Sequence, residues 1–402
     1  MSLAADRILT VNTGSSSIKL TGFTVRDGII DASPFLTMLI SNIGQSVTTL
    51  EIKQPTTPTR AKEVHAPNHI DASRLMIEQL TDIVAPNSIT AIGHRLVHGG
   101  MNYTSPTMVG TMADTDWDLL SQLDPQHTPA ARQIISQFMQ HYPNTPAVAC
   151  FDTAFFRDMP HVAKIIPIPK RYFAEGVRRY GFHGLSYTSL LETFRKEAGD
   201  TARNGRVILA HLGSGASLAA VHEGRPIDTT MGFTPTSGIV MSTRSGDLDP
   251  NIFSFLHQQN NMSIDEFERM VNSESGLLGV SGLTSDMQAL LEAEEKDPNA
   301  AMAVELFIND VKKSIAALAA TLGGVDSLVF SGGIGEQSAV LRARICHNLE
   351  YMGIELDQDA NTENSFLISS KRSKAGVHII PANEARVIAM QTLELLTERG
   401  RQ

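Results

Sequence analysis

The feature that most limits what this chain can fold into is a strand, turn and strand signature that occurs twice, once in each half. Residues Arg7 to Asn12 alternate into a short apolar run, Thr13 to Ser16 is Gly/Ser turn material, and Ser17 to Thr24 continues as a second strand. From Arg206 to Val221 two strand-like runs flank Gly213-Ser214-Gly215 in the same way. Two such hairpins suggest a duplicated architecture. The length of 402 residues agrees, since at roughly 150 residues per domain it suggests two domains, or three. With 42% hydrophobic and 19% charged residues, disorder is excluded.

Between the hairpins, Gln54 to Asn68 is rich in Pro and Thr and reads as a surface loop. A helix is expected from about Asp71 to Ile83, then a strand entering Gly93. Another strand, Ala147 to Phe151, stops at Asp152, and the passage between domains is placed near residue 156. In the second half Val304, Phe307, Val311, Ile315, Leu318 and Leu322 recur at threes and fours and end at Gly323-Gly324, an amphipathic helix with a C-cap glycine. A buried strand, Leu328 to Phe330, runs into Ser331-Gly332-Gly333-Ile334-Gly335-Glu336. The last helix takes Asn383 as N-cap after Pro381 and ends near Gly400.

Charge and cysteine content narrow the function. Lys plus Arg number 33 against 43 Asp plus Glu, a net charge of -10, so nucleic acid and anionic membrane are not expected as partners. Cys150 and Cys346 are far apart and show no zinc or disulfide spacing, which fits a reduced, cytosolic chain. The opening residues lack the basic and apolar regions of a secretion signal. Nowhere do about eighteen apolar residues run together, so neither export nor a membrane span is expected.

Several familiar motifs fail. Gly14-Ser15-Ser16-Ser17-Ile18-Lys19 lacks the second Gly and the Lys-Ser/Thr ending of a P-loop. Neither Gly213-x-Gly215 nor Gly333-x-Gly335 has the third Gly of a dinucleotide fingerprint. His94-Arg95-Leu96-Val97-His98 has the spacing of a zinc helix, but Arg stands where the catalytic Glu would be and the segment reads as strand. There is no Gly-x-Ser-x-Gly elbow. What remains is three Gly/Ser-rich turns after apolar strands, at Asn12 to Lys19, His211 to Ser217 and Ser331 to Glu336. Backbone amides in such turns can surround phosphate oxygens, and Lys19 adds a point charge, so a nucleotide phosphate site is the favoured reading. Arg95, Arg178-Arg179 and Arg244 are each flanked by glycine rather than by helix formers, a setting in which arginine holds an anion or a buried carboxylate.

These residues resemble the acetate kinase family, within the superfamily of sugar kinases, actin and Hsp70. The matching stretches are Val11 to Lys19, Gly93 to Gly100, Phe151 to Phe155, Arg178 to Gly184, His211 to Ser217, Thr243 to Pro250 and Ser331 to Glu336, spanning nearly the whole chain in the family's order. The resemblance implies an α/β fold of two actin-like (ribonuclease H-like) domains with the nucleotide in the interdomain cleft. It also implies a cytoplasmic homodimer and reversible transfer of the ATP γ-phosphoryl group to acetate, giving acetyl phosphate and ADP. Residues 1–156 would form the first domain, with helix 385–402 packing back on it, and 157–384 the nucleotide-binding domain. Asn12 and Glu384 would serve Mg²⁺ (or Mn²⁺), Lys19 the phosphates, and Arg95 the substrate carboxylate. Asp152 would be the catalytic carboxylate, and His183 and Arg244 would stabilise the transition state. His211, Leu212, Gly213, Ser214 and Gly215, Asp286, Met287 and Gln288, and Gly333, Ile334, Gly335, Glu336 and Gln337 would line the nucleotide. Val97, Phe182 and Pro235 match three apolar walls of the family's acyl pocket.

Phosphoryl transfer through a loose, in-line transition state asks mainly for positioning and positive charge, and here both reactants are anions. Two arginines with planar forks suit that task. A carboxylate with a reference pKa of about 4 is already ionised at neutral pH, so Asp152 is expected to orient metal-bound water or an arginine rather than act as a base.

The chain departs from the family where Gln126 in Asp124-Pro125-Gln126-His127-Thr128-Pro129 replaces a pocket leucine, which opens a propionate or other short-chain acyl kinase as the alternative. Ser214, Gln288 and Gln337 replace Asn, Arg and Asn around the nucleotide, which leaves another phosphoryl donor open. Tyr187 and Ser242 stand where the family commonly has His and Gly. A non-catalytic actin-like nucleotide-binding protein is the remote alternative; it predicts loss of the charged residues, and they are present.

Overall fold

A computed structural model describes residues 6–14, 16–199 and 204–400. The N-terminal segment before residue 6, Ser15 in the first Gly/Ser turn, and the end of the expected helix at 401–402 lie outside the described residues. The chain divides into two compact units, the first comprising residues up to Phe155 together with the segment from Asn383 onward, the second Phe156–Ala382.

Unit 1 is built on one sheet of β1 (Asp6–Thr13), β2 (Ser17–Arg26), β3 (Ile29–Ile30), β4 (Leu36–Ser41), β5 (Thr48–Gln54), β6 (Thr57–Val64), β7 (Ile89–Leu96), β8 (Thr107–Met108) and β9 (Ala147–Phe151). Their order is β6-β5-β4-β2-β1-β7-β9-β8, with β3 paired to β2. β1 and β2 form the expected antiparallel hairpin, with Asn12 opposite Lys19. β7 runs parallel to β1, and β9 parallel to β7. Alternation along β1 sends Leu9 and Val11 into a core with Met76, Leu80, Ile134 and Phe138, from helices His69–Ile83 and Thr128–His141. Ile8 packs in a second cluster with Phe23, Ala91 and Ala389 of helix Glu384–Gly400. Both faces of β1 are therefore covered.

The C-terminal helix can approach so closely because β7 carries Gly93, where a β-carbon would lie 2.4 Å from Thr392 Oγ1 and 2.6 Å from Ile388 Cγ2. Asn383 Oδ1 accepts from the Arg386 amide at 3.1 Å, the N-cap bond read from the sequence. Glu384 opens this helix and so belongs to unit 1 rather than to the end of the second domain.

The segment read as a surface loop at Gln54 to Asn68 instead contains β6, paired antiparallel to β5. β6 is exposed along nearly its whole length, since it is an edge strand with no face to bury. Its apolar alternation is absent for that reason, and Pro58 is tolerated there.

Unit 2 repeats the central pattern. β10 (Arg206–Leu212) and β11 (Ala216–His222) form the second hairpin, followed by β12 (Arg225–Thr229), β13 (Ser327–Ser331) and β14 (Gly376–Ile379), in the order β12-β11-β10-β13-β14. β13 and β14 run parallel to β10. Helix Pro298–Leu322 starts at the Asp297 N-cap, ends at Gly323 with φ 71°, and buries Val304, Phe307, Val311, Ile315 and Leu318. No helix among the described residues is long and apolar enough to cross a membrane. Cys150 and Cys346 are free and buried, one in each unit, and burial pushes both thiols up to about 12.

Candidate active site

In unit 1 the carboxyl ends of three neighbouring strands bring Asn12, Arg95 and Asp152 together, the position where open α/β sheets meet ligands. Arg95 Nε and Nη2 donate to Asp152 Oδ2 at 3.0 and 2.6 Å, and Nη1 donates to Asn12 Oδ1 at 2.9 Å. Asn12 Nδ2 in turn donates to Glu384 Oε2 at 2.7 Å, so the amide is oriented by a donor on one side and an acceptor on the other. Asp152 is fully buried, and Arg95 keeps 16% of its side chain exposed.

Burial pulls the Arg95 pKa down. The charges of Asp152 and Glu384, the Asp152 hydrogen bonds and the charge of Asp124 outweigh it, and the guanidinium lies above the ordinary arginine value. Three of its five N–H donors are committed, and two remain for an anion. Asp152 thus holds an arginine, one of the two roles its ionised state allowed.

Lys19 is exposed on the strand position opposite Asn12, and cross-strand partners share a face. Val97 is buried just beyond β7, and Gln126 is exposed in the turn before helix Thr128–His141. That turn is held by a pair the sequence reading missed: buried Asp124, whose Oδ1 lies 2.8 Å from His127 Nδ1. Both histidines of the zinc-like pair are buried. His94 is buried against Phe138, where burial lowers its pKa to about 3. Among the described residues, no group of three His, Cys, Asp or Glu is placed to hold a metal.

In unit 2 His183 adopts a left-handed φ of 60° just before helix Gly184–Ala198. Its Nδ1 lies 2.8 Å from Ser217 Oγ, which also bonds Tyr187 OH at 2.5 Å. The His183 and His211 rings are 4.5 Å apart, and Ser186 Oγ lies 2.8 Å from His211 Nδ1. Arg244 Nη1 donates to the Pro235 carbonyl at 2.9 Å. These groups meet at Gly215, where a β-carbon would lie 3.2 Å from His183 Nε2 and 3.5 Å from Arg244 Nη2. Ser217 closes the His211 to Ser217 motif, whereas Ser186 carried none; only its spacing from Gly184 could have pointed to it. Phe182 is buried beside His183.

The second and third Gly/Ser turns lie side by side, since β10 and β13 pair in parallel with His211 opposite Ser331. Gly332 has φ +77°, and a β-carbon on it would fall 2.6 Å from the Leu212 carbonyl oxygen, so only glycine fits. The segment read as a turn at Ser331 to Glu336 is instead the end of β13 and the short helix Gly332–Gln337, in which Gly333 and Gln337 are exposed, Ile334 is half-buried and Gly335 is buried. Glu336 folds back, its Oε1 accepting from Gly332 N at 2.9 Å and Ser331 Oγ at 3.2 Å. Ser214 is exposed. Asp286 caps helix Met287–Ala293 by accepting from Ala289 N at 2.8 Å, Met287 is buried in the core, and Gln288 reaches along the helix to Glu292 at 3.1 Å.

The Arg178-Arg179 pair does not bear out its reading as an anion site. Arg179 Nη1 is taken by the carbonyls of Thr229, Thr230 and Met231, at 3.0 to 3.4 Å. Arg178 stacks over Phe173 and Tyr180, with its guanidinium carbon 5.1 and 5.7 Å from the ring centres.

The fold and the two clusters define a two-domain α/β protein of the actin-like type, with cationic side chains and glycine turns arranged for anionic ligands. The acetokinase family model matches residues 7–390. An acetate kinase of Methylocella silvestris is 38% identical over 97% of this chain and 98% of its own length. Among solved structures, a propionate kinase of Francisella tularensis superposes with a TM-score of 0.88 at 34% identity, over 97% of this chain and 99% of that one. An acetate kinase of Porphyromonas gingivalis superposes with a TM-score of 0.85 at 32% identity, over 98% of this chain and 100% of that one. The chain belongs to the acetokinase family.

Proposed function

We propose that this chain is an acetate kinase, a phosphotransferase with a carboxyl group as acceptor, that moves the γ-phosphoryl group of ATP reversibly to acetate in a Mg²⁺-dependent reaction. The observation that carries the reading is Arg95, held by Asp152 and Asn12 at the ends of three parallel strands with two N–H groups to spare, in a chain of this family.

In this reading Arg95 takes the acetate carboxylate in a planar fork, and Asp152 keeps that fork from turning. One acetate oxygen forms the bond to the γ-phosphorus while the bond to the ADP oxygen breaks, and no proton need be removed from the acceptor. Arg244 and His183 donate hydrogen bonds to the phosphoryl oxygens as charge spreads over them. Lys19 offsets phosphate charge. The turns at His211 to Gly215 and Gly333 to Gln337, with Asp286 to Gln288, receive the nucleotide.

Glu384 offers carboxylate oxygens, as Mg²⁺ prefers, while Asn12 turns Nδ2 to Glu384 and Oδ1 to Arg95, so one carboxylate with substrate phosphates and waters would be the ion's complement here. Bound there, the ion would neutralise phosphate charge and act as a Lewis acid. Family membership also supports a cytoplasmic homodimer, which light scattering on the purified protein tests.

The deciding assay is purified protein with ATP, Mg²⁺ and hydroxylamine, offered acetate, propionate and butyrate and read as acyl hydroxamate. Acetate is expected to give the largest yield, and no product from any acid would sink the reading. A propionate preference is the second reading, supported by the Francisella tularensis neighbour and by Gln126 in place of an apolar residue.

A further inference from the structure

Arg342, on helix Ala339–Cys346, is fully buried and has no part in the reaction so far assigned. Its five N–H donors meet five acceptors. Nε donates to Asn361 Oδ1 at 2.8 Å, Nη1 to the carbonyls of Gly335 and Glu336, both at 2.9 Å, and Nη2 to Asn361 O at 2.7 Å and Asn364 Oδ1 at 2.5 Å. All five acceptors are neutral. A buried guanidinium is ordinarily compensated by a carboxylate, and here carbonyl and amide dipoles replace it. Burial pushes Arg342 down to about 10, which leaves it charged at neutral pH.

Two of the five acceptors are carbonyls in the last turn of the short helix Gly332–Gln337, which lack partners within so short a helix. Glu336 ties the front of that helix through Gly332 N and Ser331 Oγ, and Arg342 ties its back. The other acceptors connect the helix to the segment at Asn361 to Asn364, where Asn361 Nδ2 also donates to the Ala339 carbonyl at 2.9 Å. A helix of six residues, three of them glycine, is weakly determined by its own residues, because a helix so short is marginal alone and glycine permits many backbone conformations. An external fork that accepts only one arrangement of two carbonyls removes that freedom.

We propose that Arg342 is a positioning residue for nucleotide recognition, holding the glycine-rich helical segment Gly333 to Gln337 in the shape that receives the nucleotide. The proposal rests on the assignment of that segment to the nucleotide. Lysine cannot substitute, since an ammonium has three donors and no planar fork.

The test measures KM for ATP, KM for acetate and kcat in the Arg342→Lys enzyme by the hydroxamate assay, with thermal unfolding recorded alongside. KM for ATP is expected to rise about tenfold, with KM for acetate and kcat at saturating ATP within about twofold. A purely structural role would lower the unfolding temperature and the active fraction and leave KM for ATP alone. Asn364→Ala, at an exposed position, removes one acceptor and is expected to raise KM for ATP by about threefold. An unchanged KM for ATP in Arg342→Lys, or in Asn364→Ala should the first variant not fold, overturns the proposal. Calorimetric titration of the unaltered protein with ADP separates the two ideas. Absence of ADP binding there removes the nucleotide assignment itself, whereas normal binding with unchanged variants removes only the role of Arg342.

Discussion

The two units use one strand plan for different chemistry. In unit 1 the central order is β4-β2-β1-β7-β9, and in unit 2 it is β12-β11-β10-β13-β14, each a hairpin followed by two parallel strands. Around the parallel strands β7 and β9, unit 1 presents charged side chains, Arg95 and Asp152. At the same place after β13, unit 2 presents backbone at the start of the glycine-rich helix Gly332–Gln337. The strand end is a good place for a ligand in both cases, because backbone groups there have run out of sheet partners. What differs is the group placed in that gap: fixed charges suit a small carboxylate, and a glycine turn suits a large ligand approached closely.

The comparison predicts that unit 1 variants disturb the acyl acceptor and unit 2 variants disturb phosphoryl transfer or the nucleotide. The largest effect is expected from Arg244→Ala, about 10² to 10³ in kcat by steady-state kinetics, with KM for acetate little changed. Near-normal turnover would remove Arg244 from the transition state. Asp152→Asn should lower kcat/KM for acetate by about 10², because Arg95 loses its holder, with KM for ATP unchanged. Were only KM for ATP to move, the division of labour between the units would be wrong. That variant also leaves Arg95 without its closest countercharge, so about 3 kcal/mol of stability should be lost in denaturant unfolding.

Two glycines sharpen the contrast further. Gly93→Ala should cost about 1 to 3 kcal/mol in the same unfolding measurement, because its β-carbon meets Thr392 and Ile388 of the covering helix. Gly332→Ala should instead show first as a raised KM for ATP, since the strain falls on the turn itself. Equal behaviour of the two variants would mean that the turn has no recognition role. The smallest effect is expected from Gln126→Leu, a shift of about fourfold in the ratio of propionate to acetate kcat/KM, the worth of one buried methylene. An unmoved ratio would take Gln126 out of acyl selection.

Much of the candidate site was legible because it lies in contiguous motifs: Asn12, Arg95 and Asp152 at the ends of apolar strands, His183 beside Gly184, and Arg244 two residues before Gly246. The residues that escaped notice do so for physical reasons. Ser186 acts through one hydrogen bond to His211, and Arg342 through five to groups on two other segments; such contacts leave no period or spacing to read. β6 reads as a loop in the sequence because an exposed edge strand buries neither face. Arg179 reads as an anion holder in the sequence because flanking glycines look the same whether an arginine clamps a ligand or three carbonyls.

The sequence by itself determined the two hairpins, the glycine turns, the amphipathic helices and the set of charged residues, since each follows from local periodicity or turn chemistry. Tertiary structure alone decided which charges are joined. Asn12 and Glu384 are 372 positions apart in the chain, and their 2.7 Å contact exists because the last helix packs against Gly93 on the first sheet. Asp152 became the holder of Arg95 because β7 and β9 are parallel neighbours in register. Pairing across such distances depends on packing summed over many residues, and no local pattern carries it.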